Sequence, residues 1–240
     1  MTAAAARHDY APASCGGLRT QIAGTEVVLR ASGAMWVDED EALIVSDLHL
    51  EKGSSYAARG QLLPPYDTRE TLGRLEFEVA TMRPKVLVFL GDTFHDRRSE
   101  ERLAPSEAAR LRLLASGRTL IWVIGNHDAD GPQQLPGEPV ETLSLGDLTL
   151  RHEPLAGPRL GELAGHLHPC AKVAAAGGVV RRRCFVTDGE RAILPAFGAY
   201  AGGLNIRDVA FAGMFARTPI AAALGAGRVH AVGWKSLRGD

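Results

Sequence analysis

Residues 120–128 read LIWVIGNHD, an apolar run that ends abruptly at a glycine, an amide, an imidazole and a carboxylate. Two earlier stretches have the same form: residues 42–49 read ALIVSDLH, and residues 86–92 read VLVFLGD. Short apolar runs rich in β-branched residues are typical of buried strands. Polar residues that follow such strands place functional groups on the loops at the strand ends. The three stretches therefore predict buried strands with functional groups at their ends.

Helices are predicted between these strands. Asp67 and Glu70 form a plausible capping box, apolar residues follow at helical spacing, and Pro84 closes the segment. A second helix is expected from about Pro105 to near Gly117. The second half of the chain has strand-like runs close together and no clear helix. We therefore expect an α/β chain, βαβαβ followed by a mostly antiparallel part.

Composition limits the class of protein. The chain has 240 residues, of which 45% are hydrophobic and 23% charged, as in ordinary globular proteins. No run of about 18 apolar residues predicts a membrane span, and residues 1–20 predict a flexible tail rather than a signal peptide. Three widely spaced cysteines predict no disulfide framework and agree with a cytoplasmic location. The net charge of -1 means that any nucleic-acid surface must be local.

Five short polar motifs carry the candidate chemistry. They are Asp47-Leu48-His49, Gly91-Asp92, Gly125-Asn126-His127-Asp128, His152 and Gly165-His166-Leu167-His168. In extended backbone, residues i and i+2 project from one face, so the first and last motifs could each direct two side chains at one ion. Each motif alone is a weak signal, but the ordered set at strand ends is specific.

The types of side chain indicate the metal. Imidazole and carboxylate ligands suit Mn, Fe or Zn, whereas an all-oxygen site would suit Mg or Ca. No cysteine lies in the motifs, which argues against a closed structural zinc site. Seven protein ligands are too many for one open catalytic ion. They suit two ions about 3.5–4 Å apart that share one carboxylate.

The ordered motifs resemble those of the calcineurin-like metallophosphoesterases. The resemblance implies a two-sheet β-sandwich flanked by helices, with residues 21–240 as a single domain. It also implies a first metal held by Asp47, His49 and His168, a second held by Asn126, His152 and His166, and Asp92 as the bridge between them.

Three further segments resemble one bacterial branch of that family, the ligase-associated DNA damage response endonucleases. The segments are residues 46–53 (SDLHLEKG), 63–68 (LPPYDT) and 194–205 (LPAFGAYAGGLN). This resemblance implies a manganese-dependent phosphodiesterase that acts on DNA in repair. It also implies functional association with a DNA ligase and a helicase.

The mechanism expected from the resemblance is attack on phosphorus by a hydroxide that bridges the two metals. His127 would donate a proton to the leaving group, and Asp128 would orient His127 without binding metal. Asn126 could also contact the phosphate. His95 could contact substrate or serve only the structure of its loop.

Other interpretations of the sequence stay open. The chain could be a phosphomonoesterase or a phosphodiesterase of small nucleotides, or, more remotely, a non-catalytic scaffold of the same fold. Phe197 and Tyr200 could stack on bases, although a packed loop is favoured. Lys52 and Arg59 could face phosphate, although a solvated face is favoured. The sequence does not predict the oligomeric state, the strand preference or the role of residues 206–240.

Overall fold

The computed structural model describes residues 10–175 and 177–240. The strands within them are β1 (Ala11–Pro12), β2 (Leu18–Ile22), β3 (Thr25–Leu29), β4 (Met35–Val37), β5 (Ala42–Ser46), β6 (Val86–Leu90), β7 (Thr119–Val123), β8 (Glu138–Val140), β9 (Thr142–Leu145), β10 (Leu148–Arg151), β11 (Glu162–Ala164), β12 (Cys170–Ala175), β13 (Gly178–Thr187), β14 (Ala192–Ile193), β15 (Ile220–Leu224), β16 (Val229–Gly233) and β17 (Leu237–Arg238). The helices are α1 (Lys52–Ala58), α2 (Asp67–Met82), α3 (Ser99–Arg102) and α4 (Pro105–Ala115), with 3₁₀ turns at Val209–Phe211 and Trp234–Ser236.

The first sheet has the strand order β1-β2-β3-β4-β5-β6-β7-β8. Strands β5, β6 and β7 are parallel neighbours, with Ser46 opposite Leu90 and Leu90 opposite Val123. Helices make the crossovers between them, as is usual for parallel strands. The loops after β5, β6 and β7 therefore leave the sheet side by side at one edge.

The second sheet has the order β16-β15-β13-β14-β11-β10-β9, and β12 pairs with both β13 and β17. It is mostly antiparallel, as predicted, but β10 and β11 run parallel with Arg151 opposite Ala164. Because those two strands end at the same level, the loops that begin with His152 and Gly165 also emerge together.

Within the part of the chain that the structure describes, three hydrophobic clusters hold the sheets and helices in place, and two of them position the first sheet. One hydrophobic cluster includes Ile44 and Val88 of the first sheet and Leu150 and Phe185 of the second. A second cluster packs α2 and α4 against the other face of the first sheet. Full burial of each large apolar side chain contributes about 1.5–3 kcal/mol. The fold is thus a two-sheet sandwich flanked by helices, and the predicted fold class is confirmed.

Two local predictions are wrong. Leu18 opens β2 and pairs with Leu29 of β3, so the predicted flexible tail is ordered there, although residues 1–9 lie outside the described part of the chain. The alternating burial of β2 is a weak signal in so short a segment. Asp67 does not cap α2: it accepts a hydrogen bond from the N–H of Gly53 instead. Among the described residues no helix is long and apolar enough to cross a membrane.

Candidate metal centre

The candidate ligands lie where five strands end. Asp47 follows β5, Asp92 lies two residues after β6, and Asn126 lies three residues after β7. His152 follows β10, and the segment 165–168, which carries two histidines, follows β11. All seven side chains named from the sequence are therefore carried on loops at strand ends.

A first cluster joins Asp47, His49 and His168. The Nε2 atoms of the two histidines are 3.2 Å apart. Nε2 of His168 is also 3.2 Å from Oδ1 of Asp47, whose side chain is fully buried. Three possible donor atoms therefore face one small volume.

A second cluster joins Asp92, His152 and His166, and Asn126 completes it. Nε2 of His152 is 3.0 Å from Oδ1 of Asn126, 3.2 Å from Nδ1 of His166 and 3.4 Å from Oδ2 of Asp92. Nδ1 of His152 donates to the carbonyl of Leu90 at 3.4 Å. This bond places the proton on Nδ1 and leaves Nε2 free for a metal.

Asp92 stands between the two clusters. Its Oδ2 atom lies 3.4 Å from Nε2 of His152 and 3.9 Å from Nε2 of His49. Its Oδ1 atom accepts a hydrogen bond of 2.9 Å from the backbone N–H of His127, which fixes the carboxylate. One oxygen thus faces both candidate metal positions.

The protonation of Asp92 and His49 fits divalent ions. By contrast, the pKa of His152 is raised, because burial, which lowers it, is outweighed by the hydrogen bond to Asp92 and the charges of Asp47 and Asp92. Burial raises the pKa of Asp92, but the hydrogen bond and charge of His152 outweigh it and bring the pKa down to about 2. Burial lowers the pKa of His49 to about 3. Ionised carboxylates and neutral imidazoles are the forms that bind metal. Imidazole nitrogens that face each other beside carboxylates are a donor set suited to Mn, Fe or Zn.

The backbone of most ligands is left-handed. Asp47, His49, Asp92, His166 and His168 all have positive φ, between 44° and 67°. The expectation that extended backbone directs the two side chains of each of the first and last motifs at one ion is therefore wrong: β5 has already ended before Asp47, and His166 and His168 lie in different clusters. Hydrogen bonds between loops hold this conformation: the N–H of His49 donates to the carbonyl of Asp92 at 2.9 Å, and that of His166 to Oδ2 of Asp47 at 3.0 Å.

Comparison with known proteins agrees with this geometry. The sequence profile of the calcineurin-like phosphoesterases matches residues 42–186, more than half of the chain. The chain belongs to the calcineurin-like phosphoesterase family. Membership supports a hydrolase that uses divalent metals, and the two clusters are among its candidate metal-binding groups, together with a third group of His49, His95 and His127.

The chain is also similar to solved structures. The phosphoesterase is 28% identical to the crystal structure of Pseudomonas putida nuclease MPE, over 90% of this chain and 100% of that one, with a TM-score of 0.68. It is 16% identical to YfcE, a phosphoesterase from E. coli, over 80% of this chain and 98% of that one, and the TM-score of 0.39 is too low for any argument. No curated protein sequence matches significantly.

His127 lies at the rim of the phosphoesterase site. Its Nδ1 atom donates to the backbone carbonyl of His95 at 2.7 Å. Its Nε2 atom is 3.9 Å from Oδ2 of Asp92, and the side chain is 40% exposed. The ring therefore presents Nε2 to the site and remains open to an incoming molecule.

Asp128 does not orient His127 as expected from the sequence. Its Oδ1 atom accepts from the N–H of Gly125 at 3.0 Å, and its Oδ2 atom accepts from those of Thr93 and Phe94 at 2.7 and 3.1 Å. Burial and then the charge of Asp92 raise the pKa of Asp128, against these bonds. Its role in the structure is to tie the loop after β6 to the loop after β7, and the carbonyl of His95 orients His127.

His95 joins the site through its ring. It stacks on His127 with ring centroids 5.6 Å apart and approaches His49 at 5.7 Å. Its buried Nδ1 atom has no hydrogen-bond partner within residues 10–175 and 177–240. Burial, followed by the charge of Lys52, lowers the pKa of His95 to about 4, so the ring is neutral near pH 7.

The segment after β14 packs against the loop that carries Asp47. Phe197 is fully buried in the core, which confirms a packed loop and excludes base stacking by this ring. Arg183 donates to the carbonyls of Ala196 and Gly198 at 2.9 and 3.1 Å, and Arg74 donates to that of Phe197 at 2.7 Å. These arginines support a segment that contacts the Asp47 loop, and the sequence gives no signal for them because their partners are backbone carbonyls distant along the chain.

Proposed function

We propose that this phosphoesterase is a two-metal-dependent phosphodiesterase that acts as a DNA endonuclease. The observation that carries the proposal is the complete donor set, two clusters with one oxygen of Asp92 facing both. The similarity to a nuclease over 90% of the chain supports a nucleic-acid substrate.

The ligands are proposed to divide as the clusters divide. Asp47, His49 and His168 would hold one ion, and Asn126, His152 and His166 the other, with Asp92 between them. When bound, two divalent ions, which we propose to be manganese, would lower the pKa of a water molecule and neutralise charge on the phosphoryl oxygens.

The chain itself would supply proton transfer and orientation. Nε2 of His127 is placed to donate a proton to the leaving oxygen, because Nδ1 is already engaged with the carbonyl of His95. Oδ1 of Asn126 faces His152 at 3.0 Å, so its amide N–H₂ remains to hydrogen-bond a phosphate oxygen. His95, neutral and beside His127, would contact the substrate next to the leaving group.

Manganese-dependent nicking of a circular single-stranded DNA tests the proposal. A circle has no ends, so cutting it requires an endonuclease. Asp92→Ala should abolish nicking, and hydrolysis of bis-p-nitrophenyl phosphate run in parallel reports the metal site alone. Wild type that hydrolyses the small diester but leaves circles intact would refute the DNA substrate.

That negative result would favour hydrolysis of small phosphodiesters or of phosphomonoesters. The net charge of -1 is the observation that supports this second candidate. Relative kcat/KM for DNA, a cyclic nucleotide and p-nitrophenyl phosphate ranks the substrates. No activity on any ester with manganese, iron or zinc would instead support a scaffold.

A cytoplasmic role in DNA repair beside a DNA ligase and a helicase completes the proposal. It is supported by the resemblance of residues 46–53, 63–68 and 194–205 to ligase-associated endonucleases. Sensitivity of a deletion strain to DNA damage, complemented by wild type and not by the Asp92→Ala variant, tests this role.

A further inference from the structure

Helix α1 presents a polar and aromatic face next to the metal centre. Lys52, Tyr56 and Arg59 are spaced i, i+4 and i+7, so they share one side of the helix and its C-cap. Gly53 and Ser55 are buried on the inner side. Tyr56 and Lys52 are partly exposed and Arg59 is exposed. This face is therefore accessible to a ligand.

All three residues of the face act on His95. The ring of Tyr56 lies 5.9 Å from that of His95, centroid to centroid, at an angle of 35°. After the larger effect of burial, the positive charges of Lys52 and Arg59 both contribute to lowering the pKa of the His95 imidazole. Because His95 stacks on His127 at 5.6 Å, a row of rings leads from Tyr56 to the proposed proton donor.

The face is held in place before any ligand arrives. The N–H of Gly53 donates to Asp67 at 3.0 Å, and Arg102 donates to Oγ of Ser54 at 3.0 Å. Nζ of Lys52 donates to the carbonyl of Tyr200 at 3.1 Å. A fixed platform loses little conformational entropy on binding.

Nearby carboxylates are engaged with other groups. Asp96, next to His95, forms an ion pair with Arg102 at 2.8 Å. Glu51, buried at the start of α1, accepts a hydrogen bond from Thr68 at 2.9 Å. The positive charges of Lys52 and Arg59 are therefore available to a polyanion.

We propose that Lys52, Tyr56 and Arg59 form a nucleotide-binding platform on the leaving-group side of the scissile phosphate. One unpaired base would stack on Tyr56, and the flanking phosphates would contact the two cations. A groove that combines aromatic rings with positive charge is how proteins hold single-stranded nucleic acid. The platform rests on the proposed function and adds the residues that select a nucleotide next to the cleaved bond.

The first test pairs a protein change with a substrate change. Cleavage of the dinucleotide TpT is compared with that of its two analogues in which one residue lacks the base. Wild type should prefer TpT over one analogue by about 10-fold, since stacking contributes about 1–3 kcal/mol per base. Tyr56→Ala should reduce that ratio to about 1, and Tyr56→Phe should keep it. If Tyr56→Ala lowers both rates equally and keeps the ratio, Tyr56 only supports His95 and the platform is refuted.

The second test measures binding without metal. The Kd of fluorescein-labelled dT12 is followed by anisotropy in EDTA, so that failure of the proposed hydrolysis does not affect the result. Tyr56→Ala should weaken binding about 10-fold, and the Lys52→Ala/Arg59→Ala variant should flatten the dependence of log Kd on log salt by about 1.4, which is about 0.7 for each of two phosphate contacts of a single strand. Phe77→Ala and Lys85→Ala are matched controls: both residues are exposed, and Lys85 lies directly before β6, at the end of that strand opposite to the site.

The two tests separate the proposals. If wild type cleaves no DNA but Tyr56→Ala still weakens dT12 binding, the endonuclease proposal fails and the platform stands as a binding surface. If Tyr56→Ala binds dT12 as wild type does, or if wild type does not bind it, the platform is refuted whatever the DNA assays show.

Discussion

Replacing Arg191 by Met should destabilise the protein strongly. Arg191 is 1% exposed and forms a buried ion pair in which its Nε atom donates to Oε1 of Glu162 at 2.9 Å. Its Nη1 atom donates to the carbonyls of Gly157 and Met214 at 2.9 and 2.8 Å, and Nη2 donates to that of Leu155. One guanidinium thus connects β11, the loop after His152 and the segment before β15 through hydrogen bonds.

The size of the destabilisation depends on Glu162, the partner that stays buried when Arg191 is replaced. Removing one member of a buried ion pair costs about 3–5 kcal/mol, because the other charge stays buried without compensation. In Arg191→Met, Oε2 of Glu162 would remain paired with Arg151, whose Nε atom is 3.4 Å away. We therefore expect the loss in free energy of unfolding to be near the lower limit, about 3 kcal/mol. In a protein of this size that corresponds to a fall in Tm of about 6–12 °C.

Urea denaturation of the metal-free protein measures the effect. Arg19→Met is the matched control, since Arg19 pairs with Glu26 and Asp38 at 3.2 Å but its side chain is 46% exposed, and such surface pairs contribute under about 1 kcal/mol. The Arg191→Met/Glu162→Leu variant should recover part of the loss, because the uncompensated charge is then gone. A cost for Arg191→Met no larger than that for Arg19→Met would refute the reasoning.

Four further predictions follow from the site. Manganese at 100 times its Kd should stabilise wild type by about 2.7 kcal/mol and raise Tm by about 5–11 °C, and Asp92→Ala should lose most of this shift. His127→Ala should slow DNA cleavage by about 10²–10⁴-fold but affect p-nitrophenyl esters far less, because p-nitrophenolate leaves without a proton. Gly91→Ala should weaken manganese binding in calorimetry, because its Cβ would lie 2.1 Å from Nδ1 of His152 at a φ of 74°. Hydrogen bonds and the adjacent arginine hold the pKa of Asp96 at about 2, against the effect of burial. The stabilisation that ionised Asp96 gives the fold should therefore be present above pH about 4 and be lost as the pH falls towards 2. In Asp96→Asn, the free energy of unfolding should depend less on pH in that range.

Each of these has an outcome that contradicts it. Equal Tm shifts with manganese in wild type and Asp92→Ala would remove Asp92 from the metal centre. A loss for His127→Ala that is equal on DNA and on p-nitrophenyl esters would exclude proton donation. Gly117→Ala, where an added Cβ meets no atom within 4 Å although φ is also positive at 73°, separates the clash at Gly91 from backbone strain. If the stability of Asp96→Asn depends on acid pH as that of wild type does, the pKa argument is contradicted.

Much of the fold is readable from the sequence because its signals are local. The apolar runs of β5, β6 and β7 stop at polar residues in the chain itself, and parallel strands then bring those ends together. The resemblance to the calcineurin-like family grouped Asp47 with His49 and His168, as the structure does. Helix α1 was not predicted, because its seven residues, KGSSYAA, carry no long apolar stripe.

Contacts distant along the chain account for what was missed. Asp128 was assigned to His127, its neighbour in sequence, but it bonds to backbone N–H groups 34 and 35 residues away. The carbonyl of His95, which orients His127, has no signature in a side-chain pattern. The ring of Tyr56 reaches His95 across 39 residues of chain only because α1 and the loop after β6 pack together. Such pairings depend on the finished fold.

The left-handed backbone of five of the seven ligands bears on how such a site can be lost. For residues other than glycine, asparagine and aspartate this conformation costs roughly 1–2 kcal/mol each, so folding alone would favour another residue at His49, His166 and His168. Histidine at these positions opposes the preference of the backbone, a trade-off between stability and activity. A lineage released from catalysis would therefore gain stability at each of these substitutions. Replacement of left-handed histidines by glycine or asparagine would thus be an early mark of a relative that has become a scaffold.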